Sequence, residues 1–102
     1  MLLRCVADEK SRWDKRLAHA YGLLMKSHDT SSEAKRLLSE AQESWNTSRE
    51  KTCDAFGALD VEGGTGFELA KADCTLKMTA QRAAELEKRL PDADRPKGAR
   101  QQ

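Results

Sequence analysis

Apolar residues recur along this chain at steps of three and four, in three separate stretches. From Val6 to His28 they fall at Val6, Trp13, Leu17, Ala20, Tyr21, Leu24 and Met25, and from Trp13 onward they share one face of a helix. Ser27, His28 and Asp29 interrupt the pattern. Thr30 is followed three residues later by Glu33, a capping-box spacing, so a second helix is expected to start there. Its inner face reads as Ala34, Leu37, Leu38, Ala41, Trp45, Thr52 and Phe56, with Gly57 as its stop. A third helix is expected from about Phe67 to Leu90. Its main stripe is Leu69, Ala72, Leu76, Thr79, Ala83, Leu86 and Leu90. A second stripe, Phe67, Ala70, Cys74 and Met78, lies on another side of the same helix. So wide an apolar arc implies that this helix touches both others.

The stretch from Gly57 to Gly66 is glycine-rich and reads as a loop, because repeated glycines penalise helix and strand alike. Pro91 ends the third helix, and residues 91–102 are expected to form a disordered tail after a single domain of residues 1–90. No alternating run supports a strand, and no internal repeat stands out. Short connections between long helices favour up-down-up packing. The expected fold is all-α, a three-helix antiparallel bundle.

Composition narrows what such a bundle does. Hydrophobic residues make up 38% and charged residues 34% of the 102 positions, with a mean hydropathy of -0.78, which suits a thin core under a heavily solvated surface. A domain of this size stays marginal unless something staples it. The net charge of +1 lacks the basic excess of a nucleic-acid binder, so no nucleic-acid partner is expected. There is no apolar run of about 18 residues, and no membrane span is expected. Met1 to Arg4 is too short for the core of a signal peptide. Either the chain is cytosolic or its leader lies upstream.

The cysteines bear on that choice. Cys5, Cys53 and Cys74 allow three pairings, each leaving one thiol over. No Cys-x-x-Cys spacing occurs, and His19 and His28 stand apart from any cysteine, so neither a metal site nor a cofactor is expected. Geometry favours Cys53 with Cys74: the first lies near the end of helix two and the second about two turns into helix three. A bridge closing a loop of about 20 residues contributes roughly 3 kcal/mol in the chain-entropy model. The competing reading is three reduced, buried thiols in a cytosolic protein.

An ordered set of residues then carries a resemblance. Cys5, Asp14, Leu17 and Tyr21 are followed by Gln42, Trp45, Arg49 and Cys53, then by Gly63-Gly64, and last by Cys74, Thr79, Arg82 and Leu86. Together they resemble the lysozyme-inhibitor LprI-like N-terminal domain, over about residues 5 to 90. The resemblance implies an all-helical, exported domain, periplasmic or secreted, with a helix 2–helix 3 disulfide between Cys53 and Cys74 and no catalytic centre. On this reading Tyr21, Gln42, Trp45, Arg49, Thr79 and Arg82 are structural. The chain departs from the pattern at Cys5, which lacks an upstream partner cysteine, and at Ala18, Glu50 and Thr75. An asparagine, an aspartate and an apolar residue are usual at those three places.

The candidate contact surface is the glycine loop. From Asp54 to Glu68 the chain carries Asp54, Asp60, Glu62 and Glu68 and no lysine or arginine. Asp60, Glu62, Gly63, Gly64 and Thr65 are therefore the candidate partner-binding residues, an acidic tip for a basic protein such as lysozyme. Arg49 and Trp45 also fit a recognition strip, but their place beside Cys53 favours a scaffold role. His19 and His28 lie among no nucleophile motif and read as surface histidines. Gly63-Gly64-Thr65-Gly66 lacks both the lysine and the preceding strand of a phosphate loop. The expected function is protein binding without enzymatic activity, with lysozyme inhibition by steric occlusion implied by the resemblance. The alternative is a structural or assembly module of the bacterial envelope with no lysozyme target.

Overall fold

The computed structural model of the chain describes residues 2–62 and 66–96. Three helices account for nearly all of it: α1, Leu2–Lys26; α2, Ser32–Glu62; and α3, Phe67–Glu87. Among the described residues there is no strand. α3 packs along both α1 and α2, which approach each other far less closely. The wide apolar arc of α3 fits this: Phe67 and Cys74 meet Gly57 and Cys53 of α2, while Ala83 and Leu86 pack with Leu17 and Ala20 of α1.

The turn between α1 and α2 spans only Ser27 to Ser31, which forces the two helices to reverse direction. The cap falls one residue later than the Thr30–Glu33 spacing suggests. The Ser31 hydroxyl accepts the Ala34 amide at 3.1 Å, and its carbonyl accepts that of Lys35 at 2.9 Å. Glu33 turns outward instead and pairs with Arg36.

The buried core is small and lies towards the C-terminal ends of α1 and α3. Leu17, Ala20, Ala83, Leu86 and Leu90 form it, with Trp13, Tyr21, Leu23, Leu24, Leu38 and Trp45 half-buried against it. On α2 the inward line runs through Leu38, Gln42, Trp45, Arg49, Cys53 and Gly57. Ala34, Leu37, Ala41 and Phe56, expected on that face, are exposed. Two polar side chains occupy the true inner line, so a count of apolar residues alone rotates the helix slightly.

Gly57 does not stop α2, which continues to Glu62. The glycine is buried because Phe67 of α3 lies directly on it. A Cβ at this position would stand 2.9 Å from two ring carbons of Phe67 and 3.2 Å from its carbonyl oxygen. Helix propensity alone makes alanine better than glycine here by about 1 kcal/mol. Overpacking outweighs it, and Gly57→Ala is expected to lower stability by about 1–3 kcal/mol in urea unfolding. The same change in a Phe67→Ala background should cost little or become stabilising. A stabilised single variant would show that Phe67 does not hold this position.

Beyond α3 the first residues of the expected tail, 91–96, are among those described. Asp92–Asp94 form a 3-10 turn. Arg95 then folds back to donate to the carbonyls of Leu90 at 2.8 Å and Lys88 at 2.7 Å, satisfying acceptors that the helix end leaves open. The remainder of the expected tail, residues 97–102, lies outside the described residues.

Candidate functional site

Two neighbouring regions hold the candidate residues: a polar seam between the helices, and the end of α2 beyond the disulfide. Cys53 and Cys74 are joined, with their Cα atoms 5.4 Å apart, and Cys53 is fully buried. Met78 packs its sulfur 3.7 Å from that of Cys53. Cys5 is exposed and free. Next to the bridge, Lys71 of α3 reaches across to Asp54 at 2.7 Å and Glu50 at 3.1 Å. Their hydrogen bonds, Asp54 first, hold the Lys71 ammonium above its ordinary value. A cation raised in this way supports the fold below its unfolded pKa and loses that support as pH rises through the folded value. This seam is therefore intact through neutral pH.

One helical turn further into the bundle, the motif residues converge. Arg49 extends from α2 and donates to the Thr79 hydroxyl at 2.9 Å, which in turn donates to the Thr75 carbonyl at 2.7 Å. Asp14 of α1 faces the same guanidinium at 3.9 Å. Two guanidinium groups approach the Trp45 ring, with Arg49 at 4.7 Å and Arg82 at 5.9 Å from its centroid. Arg82 also donates to Gln42 at 3.0 Å and pairs with Glu85 at 2.9 Å. Gln42, Trp45, Arg49, Thr79 and Arg82 are thus one interlocked group spanning α2 and α3. Tyr21 sits apart from it, half-buried on the hydrophobic core. The sequence could suggest that these residues share flanks of their helices; it could not supply the hydroxyl acceptor at Thr79.

The family model for the lysozyme inhibitor LprI matches residues 1–86. The chain belongs to the LprI family. No curated protein and no solved structure matches it. The match runs through all three helices and ends just before Glu87, so the LprI region takes in the polar seam, the disulfide and the acidic end of α2.

In this LprI chain the tip is built differently from the expected loop. α2 carries Asp60 and Glu62 as helix up to its last residue, and Gly63, Gly64 and Thr65 lie outside the described residues. The last turn of α2 has no basic residue, although a helix C-terminus favours cations. Helix dipole and carboxylates therefore reinforce one another in making this end negative. Asp54 does not contribute freely, because Lys71 neutralises it. That pairing was hidden because the lysine lies just past the segment whose charges were counted. Asp60 is exposed. Phe56 and Leu59 beside it are large apolar side chains left 50% and 63% exposed, so the acidic end also presents apolar surface. Among the described residues no group of His, Cys, Asp or Glu is arranged to hold a metal, and no helix is long and apolar enough to cross a membrane.

Proposed function

We propose that this chain is an exported lysozyme-binding domain that inhibits by covering the substrate cleft, without covalent chemistry and without a cofactor. Membership of the LprI family over residues 1–86 is the observation that carries this reading. A structural disulfide in a small domain also fits an oxidising compartment, the periplasm or the exterior. The contacting edge in this reading is Asp60 and Glu62 with Gly63, Gly64 and Thr65. Animal-type lysozymes are basic, so carboxylates at the end of α2 steer the approach. Their cleft works with a pair of carboxyl groups, so uncharged glycine backbone and the Thr65 hydroxyl suit its interior better than further carboxylates do.

A turbidity assay with bacterial cells and an animal-type lysozyme tests the proposal. The oxidised chain should slow clearing in proportion to its concentration. Asp60→Lys with Glu62→Lys should raise the concentration needed by roughly tenfold or more and flatten its salt dependence. No inhibition by the unaltered chain rejects the lysozyme reading and leaves the envelope assembly module. Unchanged inhibition by the double variant moves the contact away from the tip.

A further inference from the structure

A groove of about 380 Å³ opens between α2 and α3 alongside the disulfide, lined by Phe56 and Asp60 from one helix and by Cys74 and Met78 from the other. Ala70, Cys74 and Met78 give it apolar surface, while Asp60, Asp73, Lys77 and Gln81 make the rest of its lining polar. Phe56 and Asp60 are one turn apart on α2, so an aromatic face and a carboxylate project to the same side. On the opposite rim Asp73 and Lys77 pair at 2.8 Å and cancel. Asp60 makes no ion pair with any described residue. The groove therefore carries one uncompensated negative charge at the edge of an exposed aromatic ring.

We infer that this groove seats a single arginine side chain from a basic protein partner. The aliphatic stem lies along Met78 and the disulfide, the guanidinium covers the Phe56 ring, and its edge meets the Asp60 carboxylate. Charge complementarity selects a cation. The flat ring beside a carboxylate favours arginine over lysine, because a guanidinium stacks flat and forks onto a carboxylate, whereas an ammonium is a compact, strongly hydrated point charge. The walls are held at fixed separation by the Cys53–Cys74 link, so little ordering is required on binding. An arginine held between an aromatic ring and a carboxylate is the kind of contact that anchors a protein interface. The identity of the partner rests on the lysozyme reading above; the seat itself rests on the groove.

The test uses the oxidised full chain with two probes, N-acetyl-arginine amide and an animal-type lysozyme. In an NMR titration with the arginine amide, the Met78 and Ala70 methyl signals should move and saturate. Phe56→Ala and Asp60→Asn should each weaken lysozyme binding by about tenfold, with unchanged melting curves. Leu37→Ser, at the other end of α2 and equally exposed, should have no effect. If the arginine amide moves the groove signals but lysozyme does not bind, the seat stands and the partner is a different basic protein. If lysozyme binds the unaltered chain and both variants equally, the seat is overturned while the lysozyme reading survives. Shifts confined to other surface carboxylates, such as Glu40 and Glu43, overturn it as well.

Discussion

Replacing Cys53 and Cys74 together with alanine is expected to lower the unfolding free energy by about 3 kcal/mol, since the bridge closes a loop of about 20 residues. The bridge spans a sequence separation of 21 and is the only covalent tie among the described residues. A domain of this size has a total stability of roughly 5–10 kcal/mol, so the loss takes a large share of it. The melting temperature should fall by roughly 15 °C. The effect should also be uneven. The hydrophobic core of Leu17, Ala83 and Leu86 lies about three turns along α3 from Cys74, and its packing does not depend on the bridge. At the bridged end the remaining ties are Phe67 on Gly57 and the Lys71 ion pairs, which are exposed to solvent. Hydrogen exchange should therefore lose protection first from about Cys53 to Cys74. A change below about 1 kcal/mol, or uniform loss of protection, would show that the two helices are held by packing alone.

That division between a packed end and a stapled end explains what the sequence could reveal. The helices, their order and the central place of α3 follow from periodicity, because the Leu69-to-Leu90 stripe and the Phe67-to-Met78 stripe have no competing signal. The cysteine pairing was legible as a matter of register. Less legible was the inner line of α2, where Gln42 and Arg49 occupy inward positions that hydrophobicity does not mark. Their roles depend on partners from other helices, Arg82 for Gln42 and Thr79 and Asp14 for Arg49, and no local pattern announces such partners. Gly57 misled for a related reason. Glycine commonly marks a helix end, but here it answers to the Phe67 ring, which belongs to the next helix. The tip was the poorest case: its charges could be counted from the sequence, but Lys71 could not be assigned to Asp54 without the fold.

A contact between residues 71 positions apart supplies the other large expected effect. Glu87 is 1% exposed, and Arg16 holds both of its oxygens, with Nε at 3.0 Å and a terminal nitrogen at 2.7 Å. The same guanidinium covers the Trp13 ring at 4.2 Å from its centroid. Arg16→Met keeps most of the aliphatic volume but leaves a buried carboxylate with no countercharge, a change that costs about 3–5 kcal/mol when the site is closed to water. Arg16 is itself 35% exposed, and a small cavity of about 190 Å³ adjoins the pair, so water reaches the site. The expected loss is therefore near the lower figure, about 3 kcal/mol. Chemical unfolding at pH 7 should read it directly. Adding Glu87→Met to Arg16→Met should restore most of the stability, since two apolar side chains can replace a buried ion pair at little cost. The double-mutant cycle then separates the charge effect from the lost stacking on Trp13, which the second substitution cannot repair. A coupling below about 1 kcal/mol would mean that the carboxylate is adequately solvated without Arg16. In that case the pair joins α1 to α3 by its geometry and contributes little through its charge.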